Sequence, residues 1–385
     1  MKKILVFLIF FLVNHNYVQA EAKQINIAYG GFSFGSNLPK NTISEKLQQT
    51  SFIDNNLRAA SKQIQNKSFQ LLFDPAKINQ IKTEDAENQI VMLLALDDES
   101  FYNTSFETVV PKKIYSTDIY LTFRIIFFNS YNNTLVATLP FLIKNNQISA
   151  SPISEKLKLQ VVSEMYKQVF QEYVSILNTF VLKKKYNLRI GIKNINIAPE
   201  AMSLIPNSVK KDLFLKNKFA SFLDSQISKN NNVSIVPYAA DRTISTIEFT
   251  YQNQQVKIKY PDPDYYIDLD IKKFVRFEDK NNKTASNSIY YYGSAVNFKV
   301  YQPETNKVII DSYMRRVLTQ DIPKDIKNLE SFEWVYFKNS LNALFNKISV
   351  QTNKLDSKWI KNASESKRNV KKDFKELKNV YNKCR

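Results

Sequence analysis

Few side chains in this chain have the chemistry of a catalyst, and their spacing narrows the choice further. Among 385 residues there is one histidine, His15, and one cysteine, Cys384. His15 sits in a segment built like an export signal: Lys2 and Lys3, an apolar run over 4–13, and Val18-Gln19-Ala20 as a small-residue cleavage site. Cleavage near Ala20 leaves no imidazole to shuttle protons, no disulfide framework and no soft metal-ligand set. A serine nucleophile would need lysine as its base, and Cys384, beside the terminal arginine, has no framework to position it. The acids Asp97, Asp98, Glu99 and Asp241 fall near expected strand ends, where two carboxylates could serve a hydrolase as acid and base. Their spacing does not distinguish them from loop acids, so no catalytic residue is expected.

Two further motifs suggest a ligand without supplying its full site. Asp262, Asp264, Asp268 and Asp270 in PDPDYYIDLD offer oxygen ligands for a hard cation. Alternation puts Ile267, Leu269 and Ile271 on one strand face and leaves Asp268 and Asp270 facing water; no glycine supplies the turn of an EF-hand loop. Gly30-Gly31-Phe32-Ser33-Phe34-Gly35 lacks both the dinucleotide fingerprint and the Lys-Ser/Thr of a P-loop, and reads as a flexible turn after the first strand. No metal and no cofactor is expected.

Binding is better provided for. Tyr290-Tyr291-Tyr292 and Tyr265-Tyr266 place rings on both faces of strands, so at least one ring of each run should be exposed as a contact surface. The tail, 354–385, carries eleven basic against four acidic residues, and Val370, Phe374, Leu377 and Tyr381 recur at helical spacing. Four such side chains would contribute at most ~1.5–3 kcal/mol each when buried. Backbone ordering costs ~1–2 kcal/mol per residue, so this helix needs a surface to lie on. That surface is the protein's own second lobe, a partner groove, or an anionic membrane. The expected partner- or surface-binding residues are Trp359, Lys361, Lys367, Arg368, Lys371, Lys372, Phe374, Lys375 and Lys378, together with Tyr291.

The elements that would position these groups occur in the same order twice. In the first half the period predicts a strand over 25–29, a helix over 52–64, strands over 69–73 and 90–96, a hairpin of 119–128 with 135–143 turning at Asn132-Asn133, and a closing helix from Val161 through Phe180. The second half follows with a strand over 188–197, a helix over 215–227, strands over 233–236 and 265–274, a hairpin of 289–300 with 308–317, and a closing helix over 334–348. An additional alternating pair, 247–251 and 256–260, reads as a hairpin added to the second copy. The expected fold class is therefore α/β (α+β). Two related lobes, 21–182 and 186–350, each put helices on one face of a mixed sheet, after a signal at 1–20 and before a basic tail at 351–385.

The phrases KVYQPETNKVIIDSYMRRV and RIIFFNSYNNTLVATLPFLI resemble the late hairpin of periplasmic domains in curli secretion lipoproteins, the N-terminal domain of TolB and the lipoprotein activators of penicillin-binding proteins. LRIGIKNINI is similar to their opening strand. The resemblance departs from the lipoprotein members in lacking a lipid-acceptor cysteine after the cleavage site. It implies protein–protein work in the cell envelope.

Composition agrees with export and binding. The net charge of +18, lowered by two when Lys2 and Lys3 leave, favours anionic partners. For an exported chain these are lipid head groups or acidic wall polymer rather than nucleic acid. The first expectation is a non-enzymatic periplasmic interaction or assembly module whose partners are envelope proteins. A secreted binder of anionic lipid or glycan surfaces is the alternative, and a carboxylate-dependent hydrolase is a second.

Overall fold

The computed structural model describes residues 24–35, 38, 41–74, 76–78, 89–107, 113–210, 215–238, 246–251, 254–281, 286–324, 330–366 and 369–385. The signal segment 1–20, Asp241, Lys367 and Arg368 lie outside them.

The first lobe runs β1 (Ile25–Phe34), α1 (Ile43–Gln49), α2 (Phe52–Ser61), β2 (Phe69–Leu72), β3 (Ile90–Glu107), β4 (Lys113–Asn129), β5 (Thr134–Ser149) and α3 (Glu155–Thr179). Local chemistry sets several of these boundaries. Thr42 and Glu45 form a capping box at the start of α1, and Ser154 caps α3 by accepting from the Leu157 amide. Asn133 turns the β4–β5 hairpin with a left-handed φ of 53°, a conformation its short polar side chain tolerates. β1 pairs parallel with both β2 and β3, and β3, β4 and β5 then run antiparallel.

The second lobe repeats this plan. Its elements are β6 (Ile190–Ile197), α4 (Pro199–Ser203), α5 (Asn207–Lys210), α6 (Leu215–Asn231), β7 (Ile235–Val236), the hairpin β8 (Thr246–Tyr251) and β9 (Gln254–Lys259), β10 (Tyr265–Asp279), β11 (Asn287–Gln302), β12 (Lys307–Pro323) and α7 (Glu330–Val350). β6 pairs parallel with β7 and β10, and β10, β11 and β12 run antiparallel. The strand order β7-β6-β10-β11-β12 thus matches β2-β1-β3-β4-β5 of the first sheet. α8 (Ser357–Ala363), β13 (Ser364–Glu365) and α9 (Val370–Cys384) complete the chain.

Three expectations change. The added hairpin β8–β9 joins the first sheet beyond β5, although it lies in the second half of the chain. Its Ile258 packs with Val91, Leu93, Ala95 and Phe128, on the sheet face opposite α1–α3. The Gly30-Gly31 motif is not a turn, because β1 continues through it to Phe34; a bulge between Tyr29 and Gly31 puts Gly31 at φ 83°, which only glycine adopts readily. Helices also cover more than one face of the first sheet: its own α1–α3 lie on one side, while α6 and α7 of the second lobe press against the other through β5 and β3.

The α6–α7 pair is therefore a layer between two sheets. Phe219, Phe222, Leu223 and Ile227 of α6 and Trp334, Phe337, Leu341 and Phe345 of α7 belong to the second lobe's core, which reaches Tyr120 of the first. β4 at the centre of the first sheet is buried on both faces over 117–128, where one face carries Ile119, Leu121, Phe123 and Ile125 and the other the buried Asp118, Tyr120, Thr122 and Arg124.

Candidate functional site

The seam between the lobes gathers most of the buried charge. A bulge between Leu96 and Asp98 displaces β3 by one residue and turns Asp97 toward Arg124 of β4. Arg124, 4% exposed, holds Asp97 through Nε at 2.8 Å and Asp224 of α6 through Nη2 at 3.2 Å. Two carboxylates thus share one guanidinium in a dry seam. Burial pushes the Asp224 carboxyl up to about 7, against the pull of Arg124 and with Asp97 adding to the rise. Asp224 Oδ1 and Arg124 Nη1 have no hydrogen-bond partner among the described residues. Beside this cluster Lys218 of α6 reaches Asp98 at 3.3 Å and the Ser100 hydroxyl at 2.9 Å.

Further along the seam Lys338 of α7 enters the first lobe. It is 1% exposed, and Nζ stands 3.7 Å from the Tyr102 ring centroid and 3.6 Å from that of Tyr120. No hydrogen-bond acceptor meets Nζ among the described residues. Desolvation drives its pKa down to about 7, opposed chiefly by the charge of Asp118. The two rings offer their negative faces to the ammonium in place of an acceptor.

Of the four acids considered for a hydrolase, the three among the described residues are paired or hydrogen-bonded within the fold. Asp97 and Asp98 pair with Arg124 and Lys218, while Glu99 accepts from the Ile43 and Ser44 amides and the Ser44 hydroxyl at the start of α1. All three lie in mid-strand rather than at strand ends, since β3 extends to Glu107. Asp268 and Asp270 accept from Asn194 and Asn196 across the β10–β6 pair at 2.9 Å each, on the outer face that alternation assigned them. No group of three or more acidic, histidine or cysteine residues able to hold a metal occurs among the described residues. Cys384 is buried, and burial raises its thiol to about 12, far from a thiolate nucleophile at neutral pH.

The tail packs onto the second lobe. Val370, Phe374, Leu377 and Tyr381 join the core of α6 and α7, and α9 lies against β12. Phe374, expected at a binding surface, is 0% exposed, because the apolar stripe is satisfied within the same chain. Lys361, Lys371, Lys372, Lys375 and Lys378 are exposed on the opposite side. Trp359 is half-buried beneath Lys347, whose Nζ lies 5.8 Å from its ring. Tyr291 is partly exposed on the outer face of the second sheet, stacks on Phe277 at 6.1 Å and donates to Asp279 at 3.0 Å, while Tyr292 turns inward and is fully buried.

An open groove of about 570 Å³ lies where the two lobes meet. One wall is Phe141, Leu142 and Lys144 of β5; Leu318 and Gln320 of β12 also line it. Its helical side presents a row of carboxamides in which Gln226 donates to Asn342 at 3.3 Å and Asn230 to Asn346 at 2.9 Å. Residues from both halves build it, so no local motif announces it.

No family model matches the chain, and no curated protein matches it. Parts of the chain are similar to solved structures. A minor lipoprotein from Acinetobacter baumannii is 11% identical, with a TM-score of 0.20 over 42% of this chain and 90% of its own. A Xanthomonas campestris protein of the DUF330 family is 10% identical, with a TM-score of 0.24 over 43% and 83%. A putative neuraminyllactose-binding hemagglutinin homolog from Helicobacter pylori is 16% identical, with a TM-score of 0.21 over 46% and 90%. At these scores and identities none of them assigns an activity or a specific family. No helix among the described residues is long and apolar enough to cross a membrane.

Proposed function

We propose that this chain is an exported, non-enzymatic protein of the cell envelope that binds other proteins through the groove between its lobes. One contrast carries the reading: the seam acids Asp97 and Asp98 are paired within the fold and Glu99 is tied to the start of α1, while the inter-lobe groove is open and lined with amides. The matching strand order of the lobes supports an origin by internal duplication, with the signal segment directing the chain to the periplasm. Photo-crosslinking residues at Gln320 and Asn342, introduced in cells, should trap discrete envelope proteins. The same residue at Asn194, on the outer face, should not. Recovery of the chain in the cytoplasm, or equal trapping at all three positions, would refute the reading.

The exposed lysines of α9 favour a second reading, attachment to an anionic lipid or wall surface. Co-sedimentation with phosphatidylglycerol vesicles should then occur and fall steeply between low and physiological salt. Salt-independent sedimentation, or none, removes it.

A further inference from the structure

We propose that the free edge of β5, over residues 142–148, seats an extended acidic segment of a partner protein, which adds to the first sheet as one more strand within the inter-lobe groove. This rests on the protein-binding reading above and names its site.

The orientation of the edge follows from one contact. The Thr138 amide points away from β4 and donates to Ser234 Oγ at 2.9 Å. Backbone direction repeats every second residue, and the β4–β5 register is unbroken from Thr138 to Ser149. Pro140 and residues Leu142, Lys144, Asn146 and Ile148 therefore face the same way as Thr138. Pro140 fits because an outward position needs no amide hydrogen. β9 meets β5 only at Thr134, and among the described residues no strand pair other than that with β4 reaches β5 beyond that point. Four outward amides and their carbonyls are left as a template of about 20 Å at ~3.4 Å per residue.

Edges of this length are usually blunted or covered. This one is sheltered by the groove at its start and ends in an exposed apolar side chain, Ile148 at 70%. Main-chain pairing on such an edge supplies affinity, and the pockets beside alternate residues supply selectivity. Leu142 and Lys144 provide those positions on the groove side, with Gln320 across from them. The carboxamides of Asn342 and Asn346 each carry donors and acceptors that can turn to a guest backbone. Charge sets the sign of the guest. The groove holds Lys144, Lys229 and Glu172, of which the last two pair at 2.8 Å, leaving Lys144 to face an acid.

The test uses the full mature chain and an acetylated heptapeptide alternating Glu and Val, with a Lys–Val heptapeptide as control. Hydrogen exchange at the amides of Leu142, Lys144, Asn146 and Ile148 should slow at least tenfold with the acidic peptide, with Phe141 and Ile143 unaffected and the control peptide inert. Lys144→Pro removes an outward amide and should weaken binding at least tenfold. Lys144→Glu, which keeps the backbone intact, should exchange the preference toward the Lys–Val peptide and covers the case in which the proline variant fails to fold. No protection at millimolar acidic peptide overturns the proposal. So does protection that depends on protein concentration alone, which would mean a second copy of this chain. Binding of chitotetraose without protection of the four amides would overturn it in favour of a glycan. Crosslinks to envelope proteins at Asn342 that persist in Lys144→Glu and Lys144→Pro would sink the strand-pairing site and leave the protein-binding reading standing; their absence in the unmodified chain would sink the reading itself.

Discussion

Replacing Lys338 by methionine should stabilise the protein, and most of all in mild acid. Methionine keeps the length and flexibility of the lysine stem and can lie between the Tyr102 and Tyr120 rings as a thioether. The folded value of about 7 lies below the ordinary 10.5, so the lysine's contribution is present above about 10.5 and lost as pH falls through 7. At ~1.4 kcal/mol per pH unit, that displacement corresponds to about 5 kcal/mol against the ammonium in place. The two ring faces return up to ~2 kcal/mol each to the charged form. A net gain of about 1–3 kcal/mol for Lys338→Met at pH 6 follows, shrinking by pH 9 and disappearing near 10.5. Urea unfolding of both proteins at pH 6, 7.5 and 9, compared through midpoints at equal slope, measures this directly. A methionine variant that is less stable by a similar amount at all three values would refute the reasoning. It would mean that the aromatic pair alone compensates the buried charge and leaves its titration in the ordinary lysine range.

The same seam gives an opposite result at its other cation. Arg124→Leu leaves Asp97 and Asp224 buried together without a counter-charge and should lower stability by ~3–5 kcal/mol at pH 8, less at pH 5 where Asp224 is protonated, as paired denaturation curves would show. Because the folded value of Asp224 is raised, its favourable share is full below the ordinary 3.8 and lost as pH rises through 7; Asp224→Asn should flatten that part of the stability–pH curve between 4 and 7. Phe374→Ala empties a fully buried ring site and should cost ~3–5 kcal/mol in calorimetry, whereas Lys375→Ala on the exposed side should stay within about 0.5 kcal/mol.

Much of this architecture could be read along the chain. The unbroken apolar run IVMLLAL placed β3, alternation in LRIGIKNINI placed the opening strand of the second half, Asn132-Asn133 placed a hairpin turn, and the helical recurrence from Trp334 to Ile348 placed α7. Period tells which face of an element is apolar, but it does not say what covers that face. The hairpin β8–β9 was therefore visible as a hairpin while its sheet was not, since one register pair, Thr134 with Lys259, decides the matter across more than a hundred residues. The tail stripe was equally visible, and its supporting surface was equally hidden. The seam left a fainter trace: Arg124 in LTFRIIFF and Lys338 in WVYFKNSL are single charges within apolar runs, a pattern that marks a buried charge awaiting a distant partner. The groove left no trace, because its amides come from three separated elements and asparagine is common throughout the sequence.

The crossing of β8–β9 into the first sheet bears on how the molecule can be dissected. A cut at the basic stretch 183–185 separates the two halves in sequence but strips the first sheet of two strands and of the cover over Val91, Leu93 and Phe128. It also bares the face that α6 and α7 occupy. Expressed alone, the N-terminal half should be sticky and prone to aggregate, and supplying the C-terminal half in trans should rescue it. During synthesis, that half would have to wait as an incomplete intermediate until residue 260 has emerged, its uncovered face open to chaperones in the meantime.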